Sequence, residues 1–281
     1  MLIKMKYLTS LLSIIFITES QSQELLDRSY LQCQYKYIWQ FDTLKNVVRD
    51  DLLILQIGSN LSKCYSYYTS QSDSLDAAPD GKNKRRILTK KAVKDYLNLG
   101  IFEGIPYKRM KTYVYKNYPK GKMTVTDGIS TQYYRYEDKL HAQNWQISDS
   151  TKTVLDYLCQ MAECDFRGRQ WTAWFAADIP VSDGPWKFGG LPGLIMEVYD
   201  KGSQYHFTII GLERRKDIPI VFTYFTDRGK YEQTTRNTFL KTEKRYLMDL
   251  SSYIEMETGI DLSGGYPQNV MRYDLIERDY K

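Results

Sequence analysis

Aromatic and β-branched residues that alternate with polar ones constrain the fold of this chain more than any other feature. The run YLQCQYKYIWQF, residues 30–41, has an apolar side chain at every second position, and the chain holds 25 tyrosines in all. Successive side chains of a strand point to opposite faces of a sheet, so this pattern is typical of a half-buried strand. On these grounds the sequence predicts strands at 31–41, 52–57, 111–115, 132–136, 155–161, 171–176, 195–199 and 205–210.

Glycine-containing turns between these strands predict antiparallel pairing. Asp200-Lys201-Gly202-Ser203 separates the last two strands by a short loop, which is typical of a hairpin. Lys120-Gly121-Lys122 and Thr126-Asp127-Gly128 predict two further turns of a meander.

Two segments carry a helical pattern. Thr89 is a candidate N-cap for a short helix that continues to Leu99 and ends before Gly100. Residues 231–257 predict a longer helix, because apolar residues recur there at helical spacing. These apolar positions are Phe239, Leu240, Leu247, Leu250, Tyr253 and Ile254. The predicted fold is α+β: a single domain, residues 23–281, of predominantly antiparallel sheet (a curved meander or half-barrel) with the long C-terminal helix packed on it.

The first 22 residues have the pattern of a secretory signal peptide. Lys4 and Lys6 precede an apolar run from Tyr7 to Ile17, and small and polar residues follow. The run is shorter than the roughly 20 residues that a membrane-spanning helix needs. We therefore expect an exported protein, periplasmic or secreted, whose mature chain has no transmembrane segment. No cysteine lies at the expected cleavage point, which argues against a lipid anchor.

The charge balance argues against a nucleic-acid-binding protein. The net charge of +5 falls to about +4 when the predicted signal peptide is removed, whereas nucleic-acid binders concentrate basic residues on one face. The one local concentration, GKNKRRILTKK at 81–91, fits a solvated loop and helix start better than a site for anionic lipid or polysaccharide. The polar stretch around 70–86 predicts a flexible loop.

Four cysteines, Cys33, Cys64, Cys159 and Cys164, are candidates for disulfide bonds. In an exported chain an even number of cysteines favours disulfides over a metal site. Three pairings are open, and long-range pairs are favoured, because residues 159 and 164 would face opposite sides of a continuous strand. With two histidines and no paired histidine spacing, the sequence predicts no metal and no cofactor.

The stretch DGPWKFGGLPGLI, residues 183–195, holds four glycines and two prolines. Gly184 and Gly189 have the spacing of a phosphate-binding loop, but the lysine and the hydroxyl residue that would hold phosphate and magnesium are missing. Leu191-Pro192-Gly193-Leu194 instead predicts a type II turn, with Gly193 at positive φ. The stretch is therefore interpreted as a folded-over loop, fixed by its aromatic residues, that leads into a strand.

The run CDFRGRQWTAWFAADIPVSDGPWKFGGLPGLIMEVYD, residues 164–200, closely resembles the GLPGLI family of exported bacterial proteins, which is named for residues 190–195 here. Residues 136–162 and the segment LLILQIGSNLSKCYS also look like that family. The resemblance implies an envelope protein of gram-negative bacteria without an established activity. It also implies that the signature includes Arg167, Gly168, Arg169, Trp174, Pro180, Gly184, Pro185, Trp186, Phe188, Gly190, Leu191, Pro192, Gly193, Leu194 and Ile195, none with a catalytic role. The loop part of the signature, which comprises Gly184, Pro185 and residues 189–195, is expected to have a structural role.

Catalytic motifs are scarce in this sequence. It contains no G-x-S-x-G, S-x-x-K or H-E-x-x-H motif. His141 and His206 give little basis for a Ser/His/Asp triad. A general acid and base pair of carboxylates, as in glycosidases, is one alternative. The acidic residues near the signature are Glu163, Asp165, Asp178, Asp183 and Asp200.

Aromatic residues around the signature favour binding over catalysis. Trp171 and Phe175 share one face of their strand and Trp174 lies on the other. We therefore expect one of these faces to pack in the core and the other to line a groove. The candidate binding residues are Arg167, Arg169, Trp174, Asp178, Trp186, Lys187 and Phe188. The predicted function is a non-enzymatic binding or accessory protein of the envelope, for a hydrophobic ligand or a partner protein. The alternatives are a periplasmic hydrolase that uses the acidic residues, and a signature that serves folding alone.

Overall fold

The computed structural model describes residues 24–101, 103–224, 231–249, 253, 255 and 274–280. The strands among them form a single sheet. The described strands are β1 (Leu25–Asp42), β2 (Val47–Gly58), β3 (Ser62–Ser66), β4 (Tyr113–Lys116), β5 (Lys122–Ile129), β6 (Gln132–Lys139), β7 (Gln146–Val154), β8 (Tyr157–Phe166), β9 (Arg169–Ala176), β10 (Leu194–Asp200), β11 (Tyr205–Val221) and β12 (Glu232–Gln233). Their order in the sheet is β12-β6-β5-β4-β3-β2-β1-β11-β10-β9-β8-β7.

Pairing in the sheet is antiparallel except between β12 and β6, which run parallel. The alternation in β1 produces the expected burial, with Leu31, Cys33, Tyr35 and Tyr37 on the core face. The predicted hairpin at 200–203 is confirmed, because β10 and β11 pair on either side of it.

The sheet is strongly curved, and contacts between its two halves establish this. Asp138 lies on β6, near one edge, whereas Arg167 follows β8, near the other, yet the two side chains form an ion pair. Nine strand spacings of about 4.8 Å would separate β6 from β8 by roughly 43 Å in a flat sheet. The two halves therefore curl towards each other and enclose the core.

Three helices are described: α1 (Tyr67–Ala77), α2 (Gly81–Leu99) and α3 (Arg236–Met248). The first two occupy the segment 70–86, where the sequence predicts a loop, and Ser66 caps α1 by accepting a hydrogen bond from the Thr69 N–H. α2 ends at Gly100 in the left-handed conformation, as predicted, but it begins eight residues before Thr89. None of the described helices is long and apolar enough to cross a membrane.

The prediction of an α+β fold with a long C-terminal helix is wrong. α3 has 13 residues, and the described chain is mostly β. Its buried residue Phe239 packs against Tyr134 and Tyr136 of β6, and its other buried residue, Leu240, belongs to the same apolar cluster. Apolar spacing predicted a helix over 231–257, but Glu232 and Gln233 form β12 and Thr235 caps α3. Leu250, Ile254 and the predicted signal peptide lie outside the described residues.

The disulfide prediction is also wrong, because all four cysteines are buried free thiols. Cys33 and Cys64 are both register partners of Leu55, one on each side of β2. They are thus two strands apart, about 9–10 Å, whereas a disulfide requires Cα atoms within about 7 Å. Cys159 and Cys164 are five residues apart along β8, which is about 17 Å of strand. Burial raises the pKa of Cys64 to about 11, so its thiol is protonated.

Candidate functional site

The glycine–proline loop, residues 177–193, connects β9 to β10 and closes around Lys116 of β4. The Lys116 ammonium donates to Asp183 Oδ1 at 2.5 Å and to the carbonyls of Gly184 and Phe188, each at 2.6 Å. The lysine side chain is almost fully buried. The loop therefore holds a cation supplied by the chain itself, where a phosphate-binding loop would hold an anion.

Gly193 does not have the positive φ that the type II turn required; Gly190, at φ 86°, has it instead. Gly193 is needed for another reason. A Cβ at this position would lie 2.3 Å from the carbonyl oxygen of Ala176, which is backbone and cannot move aside without shifting β9. The glycine allows the start of β10 to approach the end of β9.

Arg167 and Arg169, predicted as donors to a ligand, bind protein groups. Arg169 is buried and donates to Asp200 Oδ2 at 2.9 Å and Gln204 Oε1 at 2.8 Å, and to the carbonyls of residues 275 and 276. Arg167 pairs with Asp138 and, at 3.4 Å, with Glu277 and Asp279. Both arginines thereby hold the segment 274–280 against the sheet.

Lys187 is the centre of this ionic network and is fully buried. Its ammonium donates to Tyr136 OH at 3.2 Å, to Asp138 Oδ2 at 3.0 Å and to Glu277 Oε1. Burial alone would lower the pKa of Lys187, but the Glu277 carboxylate raises it above its ordinary value. Arg236 of α3 binds the other oxygen of Glu277 at 2.6 Å, so the network joins loop, sheet, helix and C-terminal segment.

The predicted aromatic residues separate into two groups. Trp186 and Phe188 are buried, and Phe188 packs edge-on against Trp171 with ring centroids 4.7 Å apart. Trp174 lies on the opposite face of β9, half-buried, with the Lys152 ammonium 4.5 Å from its ring. The signature aromatics thus build core, and Trp174 lies apart from them.

The acidic residues near the signature do not form a facing pair. Asp183 and Asp200 are neutralised by Lys116 and Arg169. Asp178 is exposed. Glu163 and Asp165 are exposed neighbours on one face of β8 and border a surface pocket of about 570 Å³. The described residues contain no group of three or more histidine, cysteine or acidic side chains that could hold a metal ion.

A cavity of about 310 Å³ lies between the concave face of the sheet and α3. Four aromatic side chains from β1, the glycine–proline loop and β11 line it: Tyr37, Trp39, Trp186 and Tyr205. Polar groups of β5, α3 and the segment before β4 line it as well, among them Thr112, Asp127 and Glu243. Trp186 is the one predicted binding residue that lines this cavity.

Two carboxyl groups in the cavity wall have raised pKa values. Asp127 accepts hydrogen bonds from Thr112 Oγ1 at 2.5 Å and from the Gly128 N–H at 2.7 Å, but burial outweighs them and raises its pKa to about 6. Burial, with the nearby charge of Asp127, raises the pKa of Glu243 to about 8. At neutral pH the pair therefore offers one carboxylate and one protonated carboxyl group.

Neither member of this pair was predicted as a site residue, although the sequence contains a signal for each. Asp127 stands on the same face of β5 as Met123, Val125 and Ile129, so it is a carboxylate in an otherwise apolar alternation. Glu243 falls in the helical stripe of Phe239, Leu240 and Leu247. A single carboxylate in an apolar face is costly to bury, which makes it a candidate functional group.

A family model described as "Protein of unknown function (Porph_ging)" matches residues 167–197, from the β8–β9 turn into β10. The match therefore covers the glycine–proline loop and its flanking strands. It supports resemblance to a Bacteroidetes family of unknown function over this short segment, and it does not confirm the GLPGLI name. A comparison with curated proteins finds no match.

Among solved structures, the chain is similar to PNGF-II in two crystal forms. In the P21 form the TM-score is 0.50 at 11% identity, with 78% of this chain and 34% of that chain covered. In the C2 form the TM-score is 0.50 at 12% identity, with 78% and 33% covered. The chain spans about a third of the length of these structures, and the likeness is one of fold.

Proposed function

We propose that the protein is a binding protein whose cavity, between the concave face of the sheet and α3, holds a small ligand with an apolar body and hydroxyl groups. The observation that carries this proposal is that aromatic side chains and the carboxyl groups of Asp127 and Glu243 line the same cavity. The volume of about 310 Å³ is at the lower end of the range for small-molecule pockets.

The protonation states of the two carboxyl groups support a hydroxyl-bearing ligand. Asp127, ionised at neutral pH, accepts a hydrogen bond, and the protonated Glu243 donates one. A hydroxyl group both donates and accepts, so it can satisfy the two carboxyl groups without a change in their charge. Tyr37 and Trp186 would cover the apolar body of the ligand.

A hydrolase that uses the same pair is the second candidate. Two carboxyl groups whose pKa values are pushed apart are the arrangement in which one serves as general base and the other as general acid. In this candidate, Asp127 and Glu243 take the place of the acidic residues predicted from the sequence, because those residues are ion-paired or exposed.

Native mass spectrometry of the protein purified from its own cells, without detergent, tests both candidates. We expect a retained small molecule in the wild type, its loss from the Asp127→Asn variant, and its retention in the Asp178→Asn variant, in which an exposed carboxylate is changed. Prolonged incubation with the extracted molecule separates the candidates, because a binding protein returns it unchanged and a hydrolase converts it. A wild-type protein without any bound molecule, which also fails to take up the extract of its own cells, would overturn the proposal.

We also propose that the protein is exported. The basic residues and apolar run at 4–17 support this proposal, as does the resemblance of the glycine–proline loop to exported proteins. The mass of the protein isolated from its own cells tests it. A mass that corresponds to residues 23–281 is expected, and a mass that includes residues 1–22 would contradict export by cleavage.

A further inference from the structure

α2 carries a concentration of positive charge that the rest of the chain lacks. Its 19 residues, GKNKRRILTKKAVKDYLNL, include seven lysines or arginines and one aspartate, a net charge of +6. The whole chain carries +5, so everything outside α2 amounts to −1. The helix is therefore the one strongly basic element among those described.

The two faces of α2 have different roles. Arg85, Leu88, Ala92 and Asp95 recur every three or four residues and form the inner, buried or half-buried face. Arg85 is fixed there by an ion pair with Asp76 at 2.6 Å and a hydrogen bond to the carbonyl of residue 106 at 3.0 Å. The inner face thus docks α2 on the protein and leaves the opposite face to solvent.

The outer face mixes basic and apolar side chains. Arg86, Lys90 and Lys94 are exposed there, and none forms an ion pair with another described residue. Val93 and Leu97 lie between them, 44% and 77% exposed. Ile87, also exposed, extends the apolar surface along the helix. Water is a poor environment for such a row of apolar side chains.

We propose that the outer face of α2 docks on an anionic lipid-bilayer surface. The basic side chains are attracted to the negatively charged headgroups, and their long stems reach the headgroup level while the shorter apolar side chains between them enter the acyl boundary. A nucleic acid would satisfy the charges but would leave Val93 and Leu97 without a partner. The exposed apolar residues therefore favour a membrane over a polyanion.

Flotation with lipid vesicles tests the proposal. The vesicles contain phosphatidylcholine alone, or phosphatidylcholine with 30% phosphatidylglycerol. The test uses the full chain and, in parallel, residues 23–281, which contain every described residue, so that binding by the apolar run at 7–17 is separated from binding by α2. We expect both forms to float with the anionic vesicles, and binding of residues 23–281 to fall in high salt.

Two double variants separate the contribution of charge to vesicle binding from the contribution of apolar burial. Lys90→Glu with Lys94→Glu is expected to weaken binding about 30-fold or more, because each lysine near an anionic surface contributes about 1 kcal/mol. Val93→Ser with Leu97→Ser keeps the charge and is expected to weaken binding about 10-fold through the loss of apolar burial. The control, Lys45→Glu with Lys201→Glu, makes the same charge change at exposed positions outside α2 and is expected to leave binding within about twofold.

Three results would overturn the proposal. Residues 23–281 would fail to float with anionic vesicles, the control would weaken binding as much as the α2 charge variant, or the apolar variant would bind as tightly as the wild type. In the last case, equal retention of both proteins on immobilised heparin or DNA would identify the surface as a general polyanion site.

Discussion

The Lys116 ammonium lies 2.5 Å from Asp183 Oδ1, inside the glycine–proline loop that the sequence presents as its most distinctive segment. The two residues stand on different parts of the sheet, β4 and the β9–β10 connection. Their pairing ties the loop to the opposite half of the curved sheet. The glycines and the lysine therefore form one structural device, in which the loop carbonyls and Asp183 replace the water that a buried ammonium has lost.

Replacement of Lys116 by methionine is expected to destabilise the fold. The Asp183 carboxylate and two loop carbonyls would be left buried without their donor, which costs about 3–5 kcal/mol when one partner of a buried ion pair is removed. Urea denaturation measures the free energy of unfolding. The matched control is Lys122→Met, in the exposed pair with Glu137, which is expected to cost less than ~1 kcal/mol. Equal losses in the two variants would contradict a structural role for the buried pair.

Gly193→Ala tests the close approach of β10 to β9. A Cβ that meets the Ala176 carbonyl oxygen at 2.3 Å forces a backbone shift, and we expect a loss of about 2–3 kcal/mol. The control is Gly202→Ala, where the nearest atom is the side-chain oxygen Asp200 Oδ2 at 3.2 Å and the change is expected to stay below ~1 kcal/mol. Thermal melting followed by circular dichroism compares the two. A Gly193→Ala protein as stable as Gly202→Ala would show that the strands separate at little cost.

Strands were predictable from the sequence because their signal is local. Alternation located β9 and β10 within two residues, since each buries one face against the core. It also located parts of β1 and β11, but the predicted strands are six and eleven residues shorter than these at one end. β7, QISDSTKTV, was missed because it is a polar strand at the edge of the sheet, where neither face is buried. The apolar stripe of α3 was recognised, but local spacing does not determine where a helix ends.

Partners of charged residues were not predictable, because they depend on how the sheet curls. Arg169 and Lys187 have the side chains of ligand-binding residues, and nothing near them in sequence indicates that Asp200 and Glu277 neutralise them. The predicted disulfides failed for the same reason, since pairing requires knowledge of which strands are neighbours. The cavity is assembled from β1, β5, β11, α3 and the loop, so its carboxyl pair emerges only in three dimensions.

Glu277→Gln is expected to release the C-terminal segment. Glu277 neutralises Lys187, Arg167 and Arg236, and the amide that replaces it leaves buried positive charge uncompensated, at a cost of about 3–5 kcal/mol. Limited proteolysis is expected to cut within residues 274–280 faster in this variant than in the wild type. Asp274→Asn removes an exposed pair with Arg278 in the same segment and serves as the control. Equal cleavage of the variant and the control would contradict an anchoring role for Glu277.

The cavity carboxyl groups make stability depend on pH in a defined direction. The folded-state pKa of Asp127 is raised from 3.8 to about 6 and that of Glu243 from 4.5 to about 8, so the folded protein binds protons more tightly than the unfolded chain. Their stabilising contribution is complete below the unfolded values and is lost as the pH rises through about 6 and about 8.

Glu243→Gln imitates the protonated form, so its melting temperature should match that of the wild type near pH 4.5 and exceed it by ~2–4 °C at pH 8.5. The gain in melting temperature of Asp127→Asn over the wild type should develop between pH 4 and pH 6.5. Melting curves of both variants and of Asp178→Asn, which changes an exposed carboxylate, measure these differences across the range. If Glu243→Gln loses stability relative to the wild type as the pH rises, the ionised carboxylate is the stabilising form, and the carboxyl pair does not have the protonation states that a hydroxyl-bearing ligand would require.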